Sequence, residues 1–265
     1  MLINIILHAT PENGRADRAL KAMRLVIDSV AHNHRIMISN NASTDPEVLD
    51  FLKNEHDKGA VEVFTAPVNH HLVAALNFGL HSAREHEIVC TIEDDALIFY
   101  KDWADTMESI LLNTPASGIS FPPKSQHGRE FDRVTYHVLP GYREVVLHWT
   151  NDKQVWNGCT AWHPRVRQTI GYFYFPHAYG AIDYLYCKRA LLAGLEIATL
   201  EEYEIEGEGQ PSETYQEWKL KTLDASWGDF KRLKHDYVRG KRPLYEPYEE
   251  HEWLSGVFEP PVLSV

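Results

Sequence analysis

Along the first hundred residues, short apolar runs alternate with stretches whose apolar residues recur at helical spacing. The run LINIILHA, residues 2–9, reads as a buried strand that ends in the turn residues TPENG. Residues 15–31, RADRALKAMRLVIDSVA, place Ala19, Leu20, Met23, Val26, Ile27 and Val30 close to one helical face. RIMIS (35–39) predicts a second strand. STDPEVLDFLKNEH (43–56) predicts a helix, because Ser43 and Thr44 precede Asp45-Pro46-Glu47 as a start signal. VEVFTAP (61–67) alternates as a third strand, LVAALNFGLHSARE (72–85) is a helix, and EIVCTI (87–92) is a fourth strand.

Strands separated by helices of this length pair in parallel through right-handed crossovers. Ligands of such sheets bind outside the carboxyl ends of the strands. The fourth strand runs straight into Glu93, Asp94 and Asp95, and apolar residues resume at once with Ala96, Leu97, Ile98 and Phe99. Three like charges therefore stand at the rim of the expected crevice. After Trp103 the pattern loosens. REVVLHW (143–149) and LEIATL (195–200) read as strands, and IDYLYCKRALLAG (182–194) as a helix closed by Gly194. From about 201 the chain turns acidic and aromatic. Its final stretch reads as an extended arm whose Trp253, Leu254, Val257 and Phe258 must pack on their own domain or on a second copy. The resulting layout is a domain over 1–200, halved at 103/104, followed by an extension over 201–265.

Composition narrows the class. The 265 residues are 44% hydrophobic and 24% charged, as in an ordinary globular protein, and no window approaches a membrane span. The opening segment lacks a basic region and a small-residue cleavage site, so it reads as a strand and not as a leader. Cys90, Cys159 and Cys187 are isolated, which suggests neither a disulfide framework nor a zinc site and makes a reducing cytoplasm the expected location. The net charge of −12 argues against a surface that is basic all over. One local stretch differs: KRLKHDYVRGKR (231–242) is either a solvated helix face or a clamp for phosphate, on a nucleotide or on a nucleic acid.

Packed carboxylates raise one another's pKa unless a cation compensates. A hard divalent cation does so, and Mn²⁺ or Mg²⁺ takes one or two protein carboxylates together with water and substrate phosphates. A solvated acidic turn capping the next helix is the plainer alternative. The neighbouring segments add weight to the cation. ISNNASTD (38–45) follows the second strand, NHHLVAALNFGL (69–80) the third, and TIEDDA ends the fourth. In order and spacing they resemble the nucleotide-sugar half of the GT-A glycosyltransferases, particularly the family 2-like enzymes. The resemblance covers residues 2–103 and a second patch at 157–194.

It implies a GT-A α/β fold, with a mixed, mostly parallel sheet flanked by helices, and a metal-dependent transfer from a nucleoside diphosphate sugar, a UDP-sugar first, to a glycan or other acceptor hydroxyl. Carried over by position, His8, Ala9 and Thr10 would border the base. Asn40 and Asn41 stand where the family commonly has an Asp reading uracil or ribose. Asn77 would shape the donor pocket, Glu93 would face the ribose or a metal-bound water, Asp94 would lie beside it, and Asp95 would ligate Mn²⁺ or Mg²⁺. In the second patch Asp183 matches the catalytic base, with Ile182 where a Glu usually precedes it. A base opposite the leaving diphosphate implies inversion. The family's downstream metal-binding His is missing, and Glu206, Glu208 or His235 would have to stand in. Two rivals remain: a nucleotidyltransferase, which the loop HATPENGRADR with its single Gly and no Lys disfavours, and a donor-binding module without activity. A homo-oligomer joined through the arm is a further expectation.

Overall fold

The computed structural model describes residues 1–30, 33–122, 133–141, 143–150, 158–200, 202–206 and 213–259. Trp156, Gly207, Glu208, Gly209 and the arm's last residues, 260–265, lie outside them. The chain runs β1 (Leu2–Leu7), α1 (Ala16–Ser29), β2 (Arg35–Asn40), α2 (Pro46–Asp57), β3 (Glu62–Thr65), α3 (His71–Ser82) and β4 (Val89–Glu93). It continues through α4 (Trp103–Asn113), β5 (Ala116–Ser120), β6 (Arg133–Leu139), β7 (Arg143–Thr150), β8 (Cys159–Trp162), α5 (Pro164–Ile170), α6 (Ile182–Leu192), β9 (Glu196–Thr199), α7 (Glu213–Val238) and β10 (Leu254–Ser255). The start signal before α2 is carried by Asp45 and not by Ser43 or Thr44: the Asp45 carboxylate accepts from the Glu47 and Val48 amides, Pro46 opens the helix, and Ser43 Oγ accepts from the Ala9 amide.

One mixed sheet has the order β10-β3-β2-β1-β4-β8-β5-β9-β7-β6. Strands β3, β2, β1 and β4 pair in parallel, as the crossover helices require. Beyond β4 the direction alternates: β8 is antiparallel to both β4 and β5, β9 is parallel to β5, and β7 and β6 follow antiparallel. The carboxyl ends of β1–β4 thus share one edge. That edge bears His8, Asn41, the segment after Thr65, and the acids that begin with Glu93.

Apolar layers cover both faces. Beneath one face, β1 and β4 pack on α1, α2 and α4 through Leu20, Met23, Leu52, Trp103 and Met107. Beneath the other lie α3, α5, α6 and α7, with Trp162, Phe173, Tyr186, Leu233 and Tyr237 in one cluster. Here α3 approaches the sheet closely. Asn4, buried in mid-strand, donates to the Ala75 carbonyl and accepts from the Ser39 hydroxyl, and Gly79 lies against it. A Cβ at position 79 would stand 2.6 Å from Asn4 Cγ and 2.8 Å from its Cβ, so the clash is with the root of the side chain. Gly79→Ala is therefore expected to lower stability by about 1–3 kcal/mol, the usual range for overpacking. Urea denaturation of the two proteins checks it, and an unchanged midpoint would refute the tight approach.

The arm lies on its own chain. Leu254 and Ser255 add an antiparallel edge to β3. Trp253 stacks on Phe78 at 4.5 Å, Tyr248 on His81 at 4.0 Å, and Thr65 Oγ1 donates to the Val257 carbonyl at 2.6 Å. Cys90, Cys159 and Cys187 are buried thiols that form no disulfide. No helix among the described residues is long and apolar enough to cross a membrane.

Candidate active site

A cleft of about 610 Å³, counting its open mouth, lies at the shared carboxyl edge of β1, β2 and β4. His8, Asn41, Glu93 and Asp94 line it together with Ile6, Arg15, Asn69, His71, Leu72, Ala178, Tyr179 and Trp218.

The loop after β1 is fixed by its own polar groups. His8 Nδ1 lies 2.7 Å from the Asn41 carbonyl, and a carbonyl only accepts, so Nδ1 carries the proton and Nε2 faces the Asn69 amide at 3.1 Å. Burial lowers the His8 pKa; the bond to Asn41 opposes this, and the charges of Arg15 and His71 add to it, so the ring is neutral at pH 7. The Ala9 amide donates to Ser43 Oγ, and its carbonyl accepts from the Thr44 and Asp45 amides. The Thr10 amide donates to Asn13 Oδ1. Asn41 clamps the far wall: its Oδ1 accepts from the His70 amide, and its Nδ2 donates to the His71 carbonyl. His71 sits at φ 66°, a left-handed conformation that non-glycine residues hold only when their surroundings fix them, as this clamp does.

At the floor, Arg15 Nη2 is 2.5 Å from Asp94 Oδ1 and 3.0 Å from Asp95 Oδ2. The other oxygen of Asp94 accepts from the His8 amide at 2.9 Å. The Asp94 carboxyl is pushed up by burial, while Arg15 pulls it down and Asp95 adds to the rise. Glu93 is pushed up to about 8, first by burial and then by the Asp95 charge, with Asp183 and Asp94 contributing and Arg15 opposing. Asp183, buried in the first turn of α6, therefore acts on the same floor, and its Oδ1 accepts from the Tyr184 amide. Here the Arg15 guanidinium pairs with Asp94 and Asp95, and Glu93 feels the charges of all three and of Asp183. Among the described residues no three His, Cys, Asp or Glu close around an ion. The donor set nevertheless fits Mn²⁺ or Mg²⁺ arriving with phosphate, because such ions need only one or two protein carboxylates and this cluster carries excess negative charge.

Other expected residues serve the fold. Asn40 is fully buried; its Oδ1 accepts from the Ser43 amide and its Nδ2 donates to Thr65 Oγ1, so it has no edge to offer a base. Asn77 donates to the Phe173 carbonyl and accepts from the Phe173 amide, tying α3 to the segment before α6 instead of lining the cleft. Glu206 pairs along Leu97 by backbone bonds, and its exposed carboxylate faces Arg18. His235 is exposed on α7 beside Asp236. Of the second patch's aromatics, Trp162, Phe173 and Phe175 are core, while Tyr179 reaches the cleft. In the basic stretch, Lys231 and Lys234 lie over the Trp227 and Tyr184 rings, and Arg232 and Arg242 pair with Asp229 and Glu246. Arg15 and Trp218 are the cleft residues that the sequence pattern does not disclose.

No protein-family model and no curated protein matches the chain. Solved structures do. The fold is similar to S. aureus TarS 1–349 in complex with UDP-GlcNAc, with TM-score 0.56 and 16% identity over 79% of this chain and 60% of that one. It is similar to the mannosyltransferase PcManGT from Pyrobaculum calidifontis in complex with GDP-Man and Mn²⁺, with TM-score 0.59 and 17% identity over 88% of this chain and 67% of that one. GalNAc-T7 with UDP, GalNAc and Mn²⁺ gives TM-score 0.55 and 9% identity over 77% and 42%. This chain thus spans less than two thirds of the TarS fragment. At these identities the likeness concerns the fold: a mixed sheet flanked by helices, which is the GT-A fold of glycosyltransferases.

Proposed function

We propose that the protein is a glycosyltransferase that moves a sugar from a nucleoside diphosphate sugar, a UDP-sugar first, to an acceptor hydroxyl with inversion. The observation that carries this reading is the pairing of Asp94 and Asp95 with Arg15 beside Glu93 at the cleft, with Asp183 near enough for its charge to raise Glu93. His8 and Asn41 would form the wall for the base, with Ala9, Thr10 and Asn40 shaping the loops that carry them. Asp95, with Glu93, would hold Mn²⁺ or Mg²⁺. When bound, that ion supplies Lewis-acid stabilisation to the departing diphosphate. Tyr179 and Trp218 also line the cleft, and an acceptor ring would rest on them. Asp183 would take the proton of the attacking hydroxyl, and a base on the side away from the leaving diphosphate would give inversion.

A thermal-shift panel of UDP-, GDP-, dTDP- and CMP-sugars, with and without Mn²⁺, tests the donor class. Selective binding at 100 times Kd stabilises the fold by about 2.7 kcal/mol. One donor should raise Tm and require the ion. Turnover of a nucleoside triphosphate without use of any nucleotide sugar would favour nucleotidyl transfer. Nucleoside diphosphate binding with neither hydrolysis nor transfer would leave a binding module. A product of retained configuration would remove Asp183 as the base.

A further inference from the structure

We propose that Arg15 is a resident counter-cation for Asp94 and Asp95, which it releases to turn onto the diphosphate when the donor and its divalent ion enter; the inference rests on the donor reading above. A single nitrogen, Nη2, bridges both carboxylates, at 2.5 and 3.0 Å. Arg15 therefore holds the two acids together before any ligand arrives. It also occupies Oδ2 of Asp95, one of the two oxygens that could take a metal, and a guanidinium and a divalent cation repel each other at that range. The side chain is 18% exposed and lines the cleft, so its way out leads towards the ligand. A planar fork of N–H donors suits phosphate oxygen as well as it suits carboxylate.

The surroundings confine the movement to the side chain. The Arg15 amide donates to Asn13 Oδ1 at 3.1 Å. Asn13 also accepts from the Thr10 amide and donates to the His8 carbonyl, so the loop after β1 is tied at several points. Asp94 keeps its orientation when Arg15 leaves, because the His8 amide still holds Oδ2 at 2.9 Å. Arg15 is a positioning residue for the acids in the empty cleft and a ligand of the diphosphate in the filled one.

The two states predict opposite changes in two affinities. In Arg15→Gln, Mn²⁺ binding without nucleotide, followed by electron paramagnetic resonance of the unbound ion, should tighten by about tenfold or more. That is the smaller end of what one neighbouring charge does to a carboxylate. Inorganic pyrophosphate, titrated at Mn²⁺ concentrations that saturate both proteins, should bind about tenfold more weakly to the variant. Arg15→Lys keeps the charge but not the fork and should fall between; it serves in place of the Gln variant if the latter does not fold. Mn²⁺ affinity unchanged or reduced in the variant, no Mn²⁺ binding by either protein, or unaltered pyrophosphate affinity would each overturn the proposal. Failure of the donor reading looks different: wild-type protein that no nucleotide sugar stabilises, with the Mn²⁺ comparison still readable.

Discussion

Asp183→Asn is expected to lower kcat for sugar transfer by about 10²–10⁴, the usual contribution of a positioned general base, with little change in donor affinity. The substitution is nearly isosteric, and the Asn oxygen can still accept from the Tyr184 amide, so α6 keeps its first turn. Loss of the charge at the helix N-terminus costs about 0.3–1 kcal/mol of stability, too little to unfold the chain. The variant also takes away one of the charges that raise Glu93, so the Glu93 carboxyl shifts towards its ordinary range. Single-turnover transfer with saturating donor separates the two effects: the chemical step should slow while donor binding persists. Full activity in Asp183→Asn would remove the residue from the reaction, and a donor affinity that fell in step with kcat would make Asp183 a binding group.

The half of the fold that bears the donor wall is legible in the sequence because each of its elements carries its own signal. β1 and β4 are continuous apolar runs buried on both faces, and α2 announces its start with Asp45 and Pro46. In the other half β7, α6 and β9 carry such signals, but β5 and β8 do not. β8 has four residues, CTAW, and β5 is ASGIS, whose Gly118 lets the Trp162 ring lie against the backbone. Runs so short, with small residues in them, become strands only because neighbouring strands pair with them. α7 buries Leu233 and Tyr237 but leaves Trp218, Leu220 and Trp227 exposed, so its sequence shows no clean stripe.

The site divides in the same way. His8, Asn41, Glu93 and Asp94 could be placed because strand ends fix them. Asn40 occupies the expected turn as well, but its neighbour's direction decides which amide faces the cleft: Asn41 points to the wall, and Asn40 points into the fold beneath it. Arg15 contacts acids 79 residues further along the chain, a pairing set by β1 lying beside β4, and Trp218 comes from a helix beyond the last strand of the core. Neither partner is adjacent in sequence, so spacing offers no clue to them.

Arg189→Met is expected to be the most damaging single change away from the cleft, at about 3–5 kcal/mol, because it takes the donors from several buried carbonyls. The side chain is 1% exposed and donates to backbone carbonyls: Nε and Nη2 to Leu244, Nη1 to Tyr172, and Nη2 also to Ile170. Its guanidinium also lies beside the Tyr186 and Tyr237 rings at 5.7 and 5.6 Å. It is the joint between α6, the turn at Ile170–Tyr172 and the start of the arm. Gly171, at φ 70°, lets the Glu246 backbone approach there, and Glu246 in turn accepts from Tyr237 and Arg242. Methionine fills much of the volume but leaves carbonyls buried without donors, at about 1–3 kcal/mol each. Lysine should not rescue the variant, since one ammonium cannot reach three carbonyls arranged for a fork. Calorimetry should show Tm lowered by about 10 °C, at about 2–4 °C per kcal/mol for a chain near this size. The same joint carries the segment that leads to Ala178, Tyr179 and Asp183, so proteolysis of the variant should open first at residues 170–181. Arg189→Met with wild-type Tm would mean that water reaches those carbonyls, and that packing of the arm against α3 holds this half of the molecule together.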